Sequence, residues 1–431
     1  MPPAPSSAAE IRRHPPVWLF CLLPIAGAVF PFVCIVMPFL LRREGIAVST
    51  IGGISALALL PLTVQFAWAP VADMWLSRRN WIWVGNLAGA ALLFVAILLP
   101  RPKYLTLFVV LLAAGNLAVS LAFTAIGGLM AVLLPDGVRG KAAGWYQAGN
   151  MASLPFLGGA SLWLIERVPL VQAAAGIALL SFLPSLSVLL IEEPRRSLAP
   201  SRAAFRGMFE EIRTLLKRRQ TWLGLLLFLS PITAGAAFNL FTAVGGDYHA
   251  SPRAVLWVTG LPGGVIAMAA GALVAGAIND FFPRRLSYIC LGSLVALTAA
   301  GLAAAPIRPA TFCVGGLIYE FATAMVWTSS TALALELGGA DPLTAGTRMA
   351  LFSSATLVPV SYMTWLDGQG DHTWGVRGLF GTDAALGLGA AVLLFALVRM
   401  FWGTTPKAQV DVIAVDLLSE GNAGESAGSS S

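Results

Sequence analysis

The sequence predicts an all-α integral membrane protein: twelve transmembrane helices in two pseudo-symmetric six-helix bundles. Three observations carry this expectation. Of 431 residues, 57% are apolar and only 11% are charged, where a soluble domain carries about 25% charged residues. Apolar runs long enough to cross a bilayer recur along the whole chain and are interrupted once by a long polar segment. Landmarks that follow the second and fourth runs return after the eighth and tenth at nearly the same offset.

A span needs about 20 mostly apolar residues. Twelve runs qualify: 17–41, 51–72, 80–100, 104–134, 142–165, 169–191, 222–245, 254–279, 286–305, 310–337, 346–366 and 378–401. The first follows Arg12, Arg13 and His14, as a signal peptide would, but it is too long for a signal-peptide core and many similar runs follow. It reads as an uncleaved first span that doubles as the targeting signal. Pro24, Pro31 and Pro38 recur in it at intervals near two helical turns, so three kinks are expected on one side. The freed carbonyls need partners, either in a water-lined cavity or in protein. The fourth and tenth runs are long and are expected to tilt or to extend past the bilayer.

The domain order follows from these runs. Residues 1–16 form a cytoplasmic tail, 17–191 the first bundle, 192–221 a linker, 222–401 the second bundle, and 402–431 a disordered tail ending in Gly and Ser. Within the linker, Phe205, Met208, Phe209, Ile212, Leu215 and Leu216 recur at helical spacing among Arg206, Arg213, Lys217, Arg218 and Arg219. That pattern predicts an amphipathic helix on the inner leaflet, with a solvated tether as the alternative.

Charge sets orientation. Of the 27 Lys and Arg, 19 fall in segments on the N-terminal side of the membrane and eight in segments on the other side. Positive charge stays inside, so both termini are expected to be cytoplasmic, in the cell's inner membrane. The net charge of +6 does not indicate nucleic acid, because the basic residues form short clusters between apolar runs. Such clusters orient spans and contact anionic lipid. Cys21, Cys34, Cys290 and Cys313 lie in apolar runs without a CxxC, which predicts packed thiols and no metal. His14, His249 and His372 are placed in loops. There is no Walker A pattern, no HExxH and no expected pair of deep carboxylates, so neither an enzyme nor a cofactor is expected.

The repeat sharpens the reading. Asp73 with Arg78 and Arg79 follows span two, and Asp280 with Arg284 and Arg285 follows span eight, 207 positions later (280 − 73). Pro135-Asp136 follows span four and leads into a span with Pro155; Asp341-Pro342 follows span ten and leads into a span with Pro359, 205 positions later (341 − 136). One period from two landmarks argues for duplicated bundles around a central pathway.

Ala69-Pro-Val-Ala-Asp73-Met-Trp-Leu-Ser-Arg78-Arg79 resembles the loop signature of the major facilitator superfamily, G-x-x-x-D-(R/K)-x-G-(R/K)-(R/K), with Ala69 at the first Gly and Met74 at the basic position. The resemblance implies that Asp73, Arg78 and Arg79, with Asp280, Arg284 and Arg285 in the second half, latch the cytoplasmic ends of the bundles. The physical basis is a carboxylate meeting a helix N-terminus and guanidinium groups at the membrane edge. Leu60-Pro-Leu-Thr-Val-Gln65-Phe-Ala-Trp68-Ala-Pro70, Glu320-Phe-Ala-Thr-Ala-Met and Ala345-Gly-Thr-Arg-Met-Ala-Leu351-Phe-Ser353-Ser354 are similar to spans of the AmpG-type muropeptide permeases and acetyl-CoA transporters. Thr124 and Asn150 stand near positions where that branch carries an acid and an Arg, so the branch does not transfer its substrate.

Glu320 lies about ten residues, or roughly 15 Å, into its span and is the one acid expected near mid-membrane. An ionised carboxylate there is costly, which suits a proton-coupling site or a substrate contact; a protonated Glu bonded to a neighbouring helix is the alternative. Gln65, Asn86, Asn116, Gln147, Asn150 and Asn239, with Trp68, Tyr319, Trp327 and Tyr362, are candidates to line a polar cavity, and each is equally able to hold helices together. No Lys or Arg is expected deep in a span, which disfavours polyanionic cargo. The expected function is a monomeric secondary transporter, a permease or symporter moving a small polar solute of muropeptide, sugar, peptide or siderophore type with protons. An efflux pump for apolar compounds is the alternative within the fold, and a membrane sensor or transferase is the remote one.

Overall fold

A computed structural model describes residues 15–16, 18–68, 76–101, 103–133, 136–193, 210, 213–214, 216–217, 219–338 and 345–402. Among these residues there are helices and turns and no strand. The N-terminal helix α1 is a bent pair, Leu19–Ile25 and Val29–Arg43. It is followed by α2 (Val48–Ala67), α3 (Arg78–Leu98), α4 (Leu105–Leu133), α5 (Asp136–Arg167) and α6 (Leu170–Leu190). The second half holds α7, which starts as Arg219–Leu229 and continues through 3-10 turns to Phe241–Val244, then α8 (Pro252–Asn279) and α9 (Arg284–Ala304). It closes with α10 (Pro309–Gly338), α11 (Ala345–Trp374) and α12 (Val376–Trp402).

Eight of these helices, and the bent α1 as a ninth, are long and apolar enough to cross a membrane. The other three, α5, α7 and α11, have polar or interrupted sequences. Helix α5 carries Asp136, Arg139 and Lys141 in its first turns; α7 breaks at Ser230; α11 carries Arg348, Asp367, Asp371 and His372. Length does not set α4 and α10 apart as expected. Helices of 32 and 30 residues at α5 and α11 match or exceed the 29 and 30 of α4 and α10. Pro155 and Pro359 sit inside α5 and α11 without ending them. His372 belongs to the last turn of α11 rather than to a loop.

The prolines of α1 do not act alike. The helix turns by 47° between Ile25 and Val29. Gly27 there has φ of +95°, a conformation that costs glycine little. Pro31 and Pro38 lie in continuous helix, with one looser π-helical stretch over Phe32–Val36. The amides at the break are met by protein: Gly27 N–H donates to the Ser181 carbonyl at 3.0 Å and Ala28 N–H to Ser181 Oγ at 2.8 Å. Helix α7 breaks at the matching place. Pro231 lies 207 positions after Pro24 (231 − 24), and Gly235, with φ of +50°, lies 208 after Gly27 (235 − 27).

The halves meet along α2 against α11 and α5 against α8, with α1 touching α7. Glycine permits backbone to meet backbone in both seams. A Cβ on Gly52 would lie 2.6 Å from the Thr364 carbonyl oxygen, and a Cβ on Gly159 would lie 2.7 Å from Gly260 Cα. These contacts are symmetry mates, since Gly260 is 208 positions after Gly52 (260 − 52) and Thr364 is 205 after Gly159 (364 − 159). Contacts on the pseudo-two-fold axis join equivalent positions directly. Thr242 Oγ1 donates to the Ile35 carbonyl at 2.7 Å, 207 positions away. Arg42 Nη2 pairs with Asp247 Oδ1 at 3.0 Å, 205 positions away. All four lie toward the side opposite the basic loops, so the outer ends of the halves are shut against each other. Beside the Arg42–Asp247 pair lies a cavity of about 310 Å³ lined by Phe39, Arg42, Arg43, Glu166, Thr242 and Val255.

Two tests follow, both in a chain whose four native cysteines are replaced by alanine. Single cysteines at Ser77 and Phe282 are expected to react with a membrane-impermeant maleimide from one side, and those at Tyr104 and Ile307 from the other. Labelling of Ser77 and Phe282 from opposite sides would refute the paired halves. Gly260→Leu wedges the outer seam and is expected to speed labelling of Ala250→Cys about tenfold or more, as overpacking typically costs 1–3 kcal/mol. Arg42→Gln removes a half-exposed ion pair and is expected to change the rate only about two- to fivefold.

Candidate functional site

Glu320 is fully buried in α10, and neither carboxyl oxygen has a hydrogen-bond partner. It faces the point where α8 is interrupted, between Pro252–Thr259 and Gly263–Phe281. A Cβ on Gly264 would lie 2.8 Å from Glu320 Oε2 and 2.7 Å from the Val258 carbonyl oxygen, so the bare glycine makes room for the carboxyl. The side chain is enclosed within the second half. An unpaired charge in such an enclosure is costly.

Glu320 is not the one acid enclosed within the protein. Asp367 on α11 and Asp383 on α12 are also buried, at 0% and 3% exposure. Tyr319 Oη donates to Asp383 Oδ2 at 2.6 Å. The Ala237 backbone amide, in the broken stretch of α7, lies near the same phenol. Asp367 is close enough to Asp383 for their charges to interact, and both Asp367 oxygens lack hydrogen-bond partners. A pair of deep carboxylates is therefore present where none was expected. The misreading has a simple cause. A hydropathy run stops at a charged residue, so Asp367 marked the end of span eleven, whereas helix α11 continues to Trp374. The helical spacing of Thr364, Asp367 and Asp371 was the available signal, since those positions share one face.

The polar candidates separate into groups. Asn239 Nδ2 donates to Thr364 Oγ1 at 2.8 Å, one turn from Asp367, so Asn239 and Tyr319 belong with the deep carboxylates. Gln147 Nε2 reaches Thr331 Oγ1 at 3.4 Å and bridges α5 to α10 across the halves. Phe66 N–H, next to the half-buried Gln65, donates to Ser354 Oγ at 3.1 Å and bridges α2 to α11. Asn116 Nδ2 donates to the Ala58 carbonyl at 2.8 Å and ties α4 to α2 within the first half. Asn86 is buried against the α1 break near Gly27. Tyr362 Oη donates to the Leu229 carbonyl at 2.9 Å, where α7 begins to unwind. Asn150 and Trp327 are half-buried on α5 and α10. The Trp68 side chain lies outside the described residues.

At the inner ends, the described contacts of the latch candidates stay within each half. The first amides of α3, Arg78 N–H and Arg79 N–H, donate to Glu193 Oε1 and Oε2 at 3.2 and 3.1 Å, and Ser77 Oγ accepts from Asn80 N–H. These contacts satisfy helix-end donors and place a negative charge at the positive end of the helix dipole. Arg284 Nη1 reaches the Ala332 carbonyl at 3.4 Å, and Arg285 Nη2 pairs with Glu336 Oε1 at 3.4 Å. Asp73 and the Asp280 side chain lie outside the described residues, as does most of the linker with its expected amphipathic helix. No Lys or Arg is buried among the described residues. Nor is any group of three His, Cys, Asp or Glu among them placed to hold a metal ion. All four cysteines are free thiols.

The architecture has known counterparts. None of the curated proteins matches the sequence. Among solved structures, a D-xylose-proton symporter aligns with TM-score 0.61 and 18% identity over 88% of this chain and 94% of its own. The nucleoside transporter NupG aligns with TM-score 0.62 and 13% identity over 89% and 98%. A POT family transporter in complex with a thioalcohol-conjugated peptide aligns with TM-score 0.64 and 13% identity over 90% and 96%. At such identities the likeness is one of fold. The sequence itself matches the Major Facilitator Superfamily over residues 19–336, most of the chain, and with two broken-helix halves meeting at symmetric glycine seams the protein belongs to that family of membrane transporters.

Proposed function

We propose that this transporter moves a small uncharged or zwitterionic polar solute together with protons, across the cell's inner membrane, by rocking its two halves about the α2–α11 and α5–α8 seams. The observation that carries the reading is Glu320: a carboxyl enclosed between α10 and the α8 break with no cation and no hydrogen-bond donor on it. Such a group is neutral while enclosed and gives up its proton only when water reaches it. A change in water access to the second half therefore becomes a change in proton binding, which is what coupling requires. The latch candidates Asp73, Arg78, Arg79, Asp280, Arg284 and Arg285 act at the inner ends in the complementary state.

The solute class follows from the charge inventory. With no buried Lys or Arg among the described residues, a polyanion such as a coenzyme A ester has no buried counter-charge to meet. Amides and phenols remain: Gln65, Asn150 and Gln147 near the junction of the halves, with Tyr362 and Trp327. Sugars, peptides, muropeptides and siderophore-like solutes suit those groups. The sugar, nucleoside and peptide carriers that share the fold support this class.

Two measurements test the reading. In proteoliposomes with an imposed pH gradient, Glu320→Gln is expected to lose pH-driven accumulation while keeping exchange across the membrane; accumulation unchanged at every pH would remove Glu320 from coupling. In a thermal-shift screen of the purified protein, a bound neutral or zwitterionic solute at 100 times its Kd is expected to stabilise the fold by about 2.7 kcal/mol. Stabilisation by coenzyme A esters, with none by sugars or peptides, would overturn the solute class.

A further inference from the structure

The coupling reading uses Glu320 and leaves Asp367 and Asp383 unexplained. We propose that these two carboxyls form a second proton-binding site, a dyad that shares one exchangeable proton beneath the closed outer lock. The inference deepens the proton-coupled reading and rests on it for its role in transport, but not for the site itself.

Three elements build the site. Asp383 on α12 accepts the Tyr319 phenol from α10 at 2.6 Å. The phenol lies near the Ala237 amide in the unwound part of α7. Tyr319 is itself fixed by packing, its ring 5.4 Å from that of Phe241. Asp383 is thus supplied with a donor suited to an anion. Asp367, by contrast, is fully enclosed, interacts electrostatically with Asp383, and has neither oxygen bonded. Two negative charges within one buried cluster are costly together, so the pair is expected to hold one proton. Loading forms one O–H bond on Asp367 and lowers the charge of the pair from two negatives to one; unloading returns the proton to water.

The route is visible along α11. Thr364, Asp367 and Asp371 lie on one helical face, and Asp371 is half-buried at the outer end. Asp371 interacts electrostatically with Asp247 and Arg42, the ion pair that locks the outer ends, and with its neighbour His372. In this proposal, opening of that pair gives water access to Asp371 and then to the dyad. The other titratable groups facing this region are Tyr319 beside Asp383, and Tyr248 with Arg377 near its phenol. Among the described residues no third His, Cys, Asp or Glu joins the pair.

Infrared difference spectroscopy on the reconstituted full-length protein, titrated between acid and alkaline pH, reads the site without a known solute. The wild type is expected to show a protonated-carboxyl C=O band that titrates, is lost in Asp367→Asn, moves its midpoint to lower pH in Asp383→Asn, and persists in Glu320→Gln. Tyr319→Phe keeps the ring packing and removes one donor to the anion, so the midpoint is expected to move upward by about one pH unit. Spectra of Asp367→Asn and Asp383→Asn identical to wild type in that region, or a Tyr319→Phe midpoint in place, would overturn the dyad. Displacement of the band by sodium ions at fixed pH would also overturn it, in favour of a sodium site. The outcomes separate from those for Glu320: loss of the band in Asp367→Asn with full coupling in Glu320→Gln leaves the dyad standing and removes only the Glu320 reading.

Discussion

Two close approaches of backbone, Gly52 against Thr364 and Gly159 against Gly260, hold the arrangement of the halves. Within lipid there is little hydrophobic drive to bring helices together, so close packing of small residues decides which helices meet. At these seams the halves touch where a single Cβ would clash with backbone at under 3 Å. Because the two seams are symmetry mates, a rotation that loosens one loosens the other. Their common position toward the ends opposite the basic loops closes the two halves together there.

Backbone breaks are the second recurring device. Helices α1 and α7 lose regular hydrogen bonding at Pro24 and Gly27, and at Pro231 and Gly235. Every freed amide at such depth needs a partner. In the first half the partner is Ser181, through both its carbonyl and its hydroxyl. In the second half the Ala237 amide lies near Tyr319, whose phenol donates to the Asp383 carboxylate. Equivalent breaks thus have different consequences: one is stitched with neutral groups, and the other is wired to acids. The asymmetry concentrates titratable chemistry in the second half, where Glu320, Asp367 and Asp383 all reside.

Several features were legible from residue order. Twelve apolar runs and the repeat near 206 positions are local or statistical properties of the chain, and the helices observed follow them. The burial of Glu320 was also legible, because a charged residue in the middle of a long apolar run has no other place to go. Asp367 and Asp383 were not. Each lies near the end of a run, where exposure is the ordinary expectation, and only the extension of α11 past residue 366 and the packing of α10, α11 and α12 bury them. The neutral polar residues were equally ambiguous. Asn116 and Gln147 look alike in sequence, yet one ties two helices of a single half and the other crosses between halves.

By itself the sequence determined the membrane class, the run of apolar spans and the duplication, because bilayer thickness and water exclusion act on each segment separately. The tertiary structure alone decided which polar groups share an enclosure, which glycines meet, and that Arg42 faces Asp247 across the axis of the repeat. Those are distances between segments far apart in the chain, set by how twelve helices pack together, and no single segment carries that information.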